Sequence, residues 1–161
     1  MMDRIFPQRL DNDYRGYRLA LWIFFVITFM KVAMGLGHIF NPDGGAQSVS
    51  HIPLDTYPSG AAQNVVALFA RMGLEQLLLG VLFVIVLARY RAMIPLMYAL
   101  AATGHAGTIA LASFKPLSLV GTSGAKPVLL GLAVLSLAGF LLSLSGSGYA
   151  GTRPEAREHA A

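Results

Sequence analysis

Four apolar stretches, each long enough to cross a bilayer as a helix, occupy most of the 161 residues and leave few architectures open. They run from about Leu19 to Phe40, Ala62 to Ala88, Ala92 to Phe114 and Pro127 to Ser147. A hydrocarbon core of about 30 Å takes about 20 helical residues to cross. Inside it every peptide N–H and C=O must be satisfied within the protein, so only helices and closed barrels span it. A barrel needs segments of about ten residues with alternating polarity, and none of the four alternates. Charged residues make up only 12% of the chain, against about 25% in soluble domains. The expected fold is therefore all-α, an integral membrane four-helix transmembrane bundle.

The organisation follows from what lies between the spans. Residues 1–18 form a polar N-terminal segment, 19–148 the transmembrane domain with an external loop at 41–61, and 149–161 a tail read as disordered. The apolar core of the first span exceeds the roughly 7–15 residues of a secretory signal and ends without a small-x-small cleavage pattern, so it reads as an uncleaved anchor. Arg4, Arg9, Arg15 and Arg18 precede it, Arg89 and Arg91 separate the second and third spans, and Arg153 and Arg157 follow the fourth. Residues 41–60 carry no Lys or Arg, and Lys115 and Lys126 alone precede the fourth span. The positive-inside rule then puts both termini in the cytoplasm, with a bacterial inner membrane as the expected location. The turn Arg89-Tyr90-Arg91 predicts that the second and third spans are adjacent and antiparallel. The external loop reads equally well as an irregular connector or as a short lid on the membrane surface.

Ionisable groups in lipid are costly and for that reason informative. If each span is centred on the bilayer, Glu75 falls near the midplane, Lys31 and His105 about 3 Å outward and Arg71 about 6 Å outward. Arg71 and Glu75 are four apart on one helical face, so an intrahelical ion pair is natural. Glu75 is the one carboxylate within the spans, and the expected arrangement sets it between Arg71 and Lys31, with Gln76 and His105 nearby. Such a cluster reads as a lock on helix register, as a pocket for an amphipathic ligand or lipid head group, or as part of an ion or proton path. His38, seven residues after Lys31, is an outer-face candidate.

No catalytic residues are expected: no Gly-rich phosphate loop, Gly-x-Ser-x-Gly or intramembrane carboxylate pair occurs. His38 and His105 lack a second His at i+3 or i+4 and a Glu-x-x-His pattern, so no metal site is predicted. The absence of Cys excludes disulfides and thiolate ligands. Small residues are set for close helix packing at Ala99, Thr103 and Gly107, at Gly104 and Thr108, and at Gly35, Gly73, Gly80, Gly131 and Gly139. The fourth span, without charge, reads as the most lipid-exposed helix or as a face that docks on a partner.

The stretch ARMGLEQLLLGVLFVIVLARYRAMIPLMYALAATGHAGTIAL resembles the middle of the DoxX-like small membrane proteins, with a charged-then-Gly second span, a short basic turn and a small-residue-rich third span. The resemblance covers about a quarter of the chain. It implies four helices and an accessory role in a membrane complex, redox or quinone-linked; no family residues are carried over. The expected function is thus a non-catalytic accessory or assembly subunit of a larger membrane complex. The alternatives are a stand-alone binder or carrier of a lipid, quinone or small amphipathic ligand, and, after it, an ion or proton transporter. No cofactor is expected, a bound lipid or quinone being the alternative. Expected partners are membrane lipids and other integral membrane subunits, with no nucleic acid.

Overall fold

The structure, a computed structural model, describes residues 2–145. A short helix α1 (Met2–Ile5) precedes four long ones: α2 (Arg18–Phe40), α3 (Ser59–Arg89), α4 (Ile94–Phe114) and α5 (Ala125–Ser145). The described residues are all-α, and the four long helices are each long and apolar enough to cross a membrane. Between 22% and 33% of the residues in their apolar windows are buried. The remainder is apolar outward surface, which water would not tolerate and lipid solvates. The expected tail at 149–161, with Arg153 and Arg157, and the last two residues expected in the fourth span lie outside the described residues.

Proline sets several helix ends. α2 stops before Asn41-Pro42, since the residue preceding proline disfavours helical torsions. α3 starts immediately after Pro58. Pro95 is tolerated in the first turn of α4, where the missing amide hydrogen has no intrahelical partner to lose. α3, at 31 residues, is the longest. It measures about 46 Å and overshoots a hydrocarbon core.

Helix order departs from what the short turn predicts. α3 packs along α2, α5 packs on both α2 and α4, and α3 and α4 are antiparallel but meet only near their turn. A three-residue connection fixes proximity at one end only; the helices then splay. The α2–α3 seam is held by glycine. A Cβ on Gly73 would lie 2.9 Å from the Gly35 carbonyl oxygen, and one on Gly35 would lie 2.9 Å from the Leu77 nitrogen. A Cβ on Gly80 would lie 2.9 Å from Val32 Cγ2. Backbones that close gain dispersion contacts that lipid tails cannot replace.

Near the arginine end, the four helices converge on an aromatic core. Phe24 of α2 sits 5.1 Å from the Phe83 ring of α3 and 5.3 Å from the Tyr98 ring of α4. The α5 side is closed by Leu132, Ser136, Gly139 and Ser143, all buried and spaced four, three and four apart. α5 thus has a defined packing face, yet with α3 it is the least buried of the four, as expected of the uncharged fourth span. The small-residue stripe of α4 is corrected. Thr103, Gly104, Gly107 and Thr108 are exposed, and nothing lies within 4 Å of a Cβ built on either glycine. Gly131 is equally open.

Both ends are covered by ordered chain. At the arginine end Arg4 donates to the Leu144 carbonyl, the Ala92 amide donates to Asp11 and the Tyr17 amide to Leu142. Arg15 lies 3.6 Å from both Asp11 and Asp13. The buried Tyr14 hydroxyl has no partner among the described residues, and burial pushes its pKa up to about 12. At the opposite, loop end, Ala46, Ile52 and Leu54 form a second small core with Val66, Phe69 and Leu119. The Val120 amide donates to His51 and the Gly124 amide to Val49, tying the two loops into one cap.

Candidate functional site

The expected polar layer is not gathered into one cluster, and the physical reason is a slide of α3. Gly35 lies between Gly73 and Leu77, and Gly80 lies beside Lys31 and Val32. Referred to the centre of α2, Glu75 then stands about 9 Å toward the loop end and Arg71 about 15 Å, while Lys31 stands about 3 Å. Centring each span separately misplaces Glu75, because α3 extends past the bilayer at its loop end.

Arg71 Nε lies 3.6 Å from Glu75 Oε1, and the side chains are 77% and 69% exposed. Both point away from the bundle. Side chains lean toward the N-terminus of their own helix, so Glu75 leans toward Arg71 and the loop end. Among the described residues no ion pair joins Glu75 to Lys31, which corrects the expectation of a carboxylate between two cations.

Lys31 is half-buried on α2 and Gln76 half-buried on the inner side of α3. His105 is buried on α4 and turned toward α5, where its Nδ1 shares a 3.2 Å hydrogen bond with Ser136 Oγ. The constellation therefore divides into an outward pair on α3, a half-buried Lys31 on α2 and an inward His105–Ser136 pair between α4 and α5.

His38 belongs to the loop-end cap. Its Nδ1 donates to the Gly44 carbonyl at 2.6 Å, which requires the proton on Nδ1 because a carbonyl only accepts. Its ring meets Phe69 edge-on at 5.8 Å. Asp43 organises the same loop by accepting from the amides of Gly45, Gln47 and Ser48 and from the Ser48 hydroxyl. Burial alone would raise its pKa, but these donors hold the carboxyl at about 2. The loop is thus a built cap, with Gly44 and Gly45 at positive φ where side chains are strained.

Several residues escape a sequence search for charge. Ser136 and Ser143 hide in an uncharged span, and their legible signal is the four-three-four spacing they share with Leu132 and Gly139. Tyr98 has no comparable signal. Among the described residues no three His, Asp or Glu side chains come together as metal ligands. The cavity at the arginine end, beside Tyr14, Arg4, Arg91 and Ser143, measures about 30 Å³, room for a single water. Comparison with protein-family models, curated proteins and solved structures finds no match.

Proposed function

We propose that the chain is a non-catalytic accessory or assembly subunit of a larger membrane complex. The observation that carries this is the exposed Arg71–Glu75 pair on the apolar outer surface of α3. Glu75 lies about 6 Å inside the edge of a 30 Å core, where lipid offers it no hydrogen bond. A carboxylate so placed, with only a neighbouring guanidinium, is better satisfied by protein than by acyl chains. The open Gly104 and Gly107 surface of α4 supports a second place of close helix approach. Resemblance of the second and third spans to the DoxX-like family favours a redox or quinone-linked complex in a bacterial inner membrane. The Arg18, Arg89 and Arg91 end would face the cytoplasm.

The test is purification in mild detergent. The chain is expected to migrate as part of an assembly containing other integral membrane subunits. The Arg71→Leu/Glu75→Leu double variant is expected to insert normally yet leave that assembly. A native chain that runs as a monomer with nothing attached ends the proposal.

A second reading rests on Lys31, half-buried and without an ion-pair partner among the described residues. With Gln76 and His105 it would hold an anionic lipid head group or a quinone oxygen. Retention of such a ligand through purification, and its loss in Lys31→Met, would support it.

A further inference from the structure

Ahead of the first span, residues 2–17 form an ordered strap across the arginine end. Three hydrogen bonds tie it down: Arg4 donates to the Leu144 carbonyl, the Ala92 amide to the Asp11 carbonyl and the Tyr17 amide to the Leu142 carbonyl. These ties fix its depth. Counted from the centres of α2, α4 and α5, residues 17, 92, 142 and 144 lie about 10–18 Å from the midplane. The edge of a hydrocarbon core of about 30 Å is at about 15 Å. The strap therefore lies where acyl chains give way to head groups.

Its surface combines apolar side chains with positive charge. Met2, Phe6 and Leu10 recur every four residues and are 64%, 56% and 59% exposed. Tyr17 and Trp22, also exposed, stand at the same level, as aromatic side chains do at a membrane interface. Residues 3–18 and 89–91 carry six arginines against three aspartates, an excess of three cations. Arg15 lies against Asp11 and Asp13, and Arg4 and Arg91 donate to main-chain carbonyls. Arg9, Arg18 and Arg89 are exposed and have no such partner among the described residues. Beside Arg9 an open recess of about 320 Å³ is shared with Asp3, Pro7, Gln8 and Arg15, far more room than a single water needs.

We infer that the strap is an interfacial anchor that binds anionic phospholipid in the leaflet at the arginine end. Met2, Phe6 and Leu10 enter the acyl boundary, and Arg9, Arg18 and Arg89 hold the phosphodiester groups. This goes beyond the subunit reading and does not depend on it. Depth selects lipid as the occupant: at the edge of the core an acyl chain and a phosphate both come within one side chain's length of the strap. Water would leave the three apolar side chains unburied, whereas acyl chains bury them. The excess of arginine selects an anionic lipid, because phosphatidylcholine brings a cation with every phosphate. A guanidinium suits a phosphodiester, giving it two parallel N–H donors.

The chain has no cysteine, so a bimane label on a single introduced cysteine reports from one place. The full chain, purified alone, goes into nanodiscs of phosphatidylcholine mixed with phosphatidylglycerol, with bromine on the acyl chains of one lipid or the other. Labels at Phe6→Cys and Leu10→Cys are expected to be quenched, and more by brominated phosphatidylglycerol than by brominated phosphatidylcholine at equal content. Labels at Gln8→Cys and Asn12→Cys, polar positions of the same strap, are expected to be quenched less. With the label at Leu10→Cys, Arg9→Gln and Arg18→Gln are each expected to lower the preference for phosphatidylglycerol about fivefold. Arg9→Lys keeps most of it, and high salt weakens it. Both arginines are exposed, so these variants leave the bundle packing intact. Equal quenching by the two lipids overturns the anionic site. No quenching by either lipid at Phe6→Cys and Leu10→Cys overturns the anchor. Shielding of those two positions only when native partner subunits are present also overturns it, making the strap a protein-docking surface and leaving the subunit proposal standing.

Discussion

Tyr98 of α4 donates a 2.5 Å hydrogen bond to the main-chain carbonyl of Ala20 on α2. The two residues are 78 apart in the chain, and α4 otherwise reaches α2 mainly through α5. The tyrosine ring fits there because position 139 has no side chain to occupy the space.

Tyr98→Phe is expected to destabilise the bundle by about 0.5–1.5 kcal/mol, the range for an interhelical hydrogen bond in a membrane protein. Gly139→Ala is expected to cost more, about 1–3 kcal/mol, because its Cβ overlaps the ring and forces overpacking. Reversible unfolding in mixed micelles measures both. A smaller loss for the alanine than for the phenylalanine would show that the ring is free to move away.

The glycines of α3 and α4 are expected to respond in opposite senses. Gly73→Ala places a methyl group 2.9 Å from the Gly35 carbonyl oxygen, against backbone that has no flexible end to yield. A loss of about 1–3 kcal/mol follows from overpacking. Gly104→Ala meets nothing within 4 Å, so replacing glycine in a helix interior is expected to be neutral or to gain up to about 1 kcal/mol. The same micelle unfolding assay on the isolated chain separates them.

The loop-end cap is expected to loosen in acid. Asp43 is held at about 2, below its ordinary value of 3.8. Its folded-state pKa is depressed, so its contribution is fully present above about pH 4 and is lost as pH falls through about 2. Hydrogen exchange at Gly45, Gln47 and Ser48 reads this directly once corrected for intrinsic rates. Asp43→Ala is expected to remove the protection at neutral pH, with a local cost of about 0.5–2 kcal/mol, as for other carboxylates that cap backbone amides. Unchanged protection in Asp43→Ala would assign the order of the loop to Ile52 and Leu54 packing instead.

Legibility in the sequence follows the range of the interaction involved. The spans can be read because hydropathy accumulates along the chain over about 20 residues, whatever the neighbours do. The Arg71–Glu75 pair can be read because four residues make just over one helical turn. The close approach of Gly35, Gly73 and Gly80 is signalled by small residues at regular spacing, although α4 carries the same signal and leaves it unused.

The all-α class, the four apolar helices and the local pairing of Arg71 with Glu75 follow from the order of residues along the chain. Which helices adjoin, the slide of α3 toward the loop end, the outward face of Glu75 and the turn of His105 to Ser136 emerge only when the helices pack. The reason is that lipid solvates an apolar face as well as another helix does. Hydrophobicity therefore puts all four helices in the membrane but does not choose among their pairings. That choice rests on backbone approach at glycines, the fit of Phe24, Phe83 and Tyr98, and a few buried hydrogen bonds, each joining residues far apart in the chain.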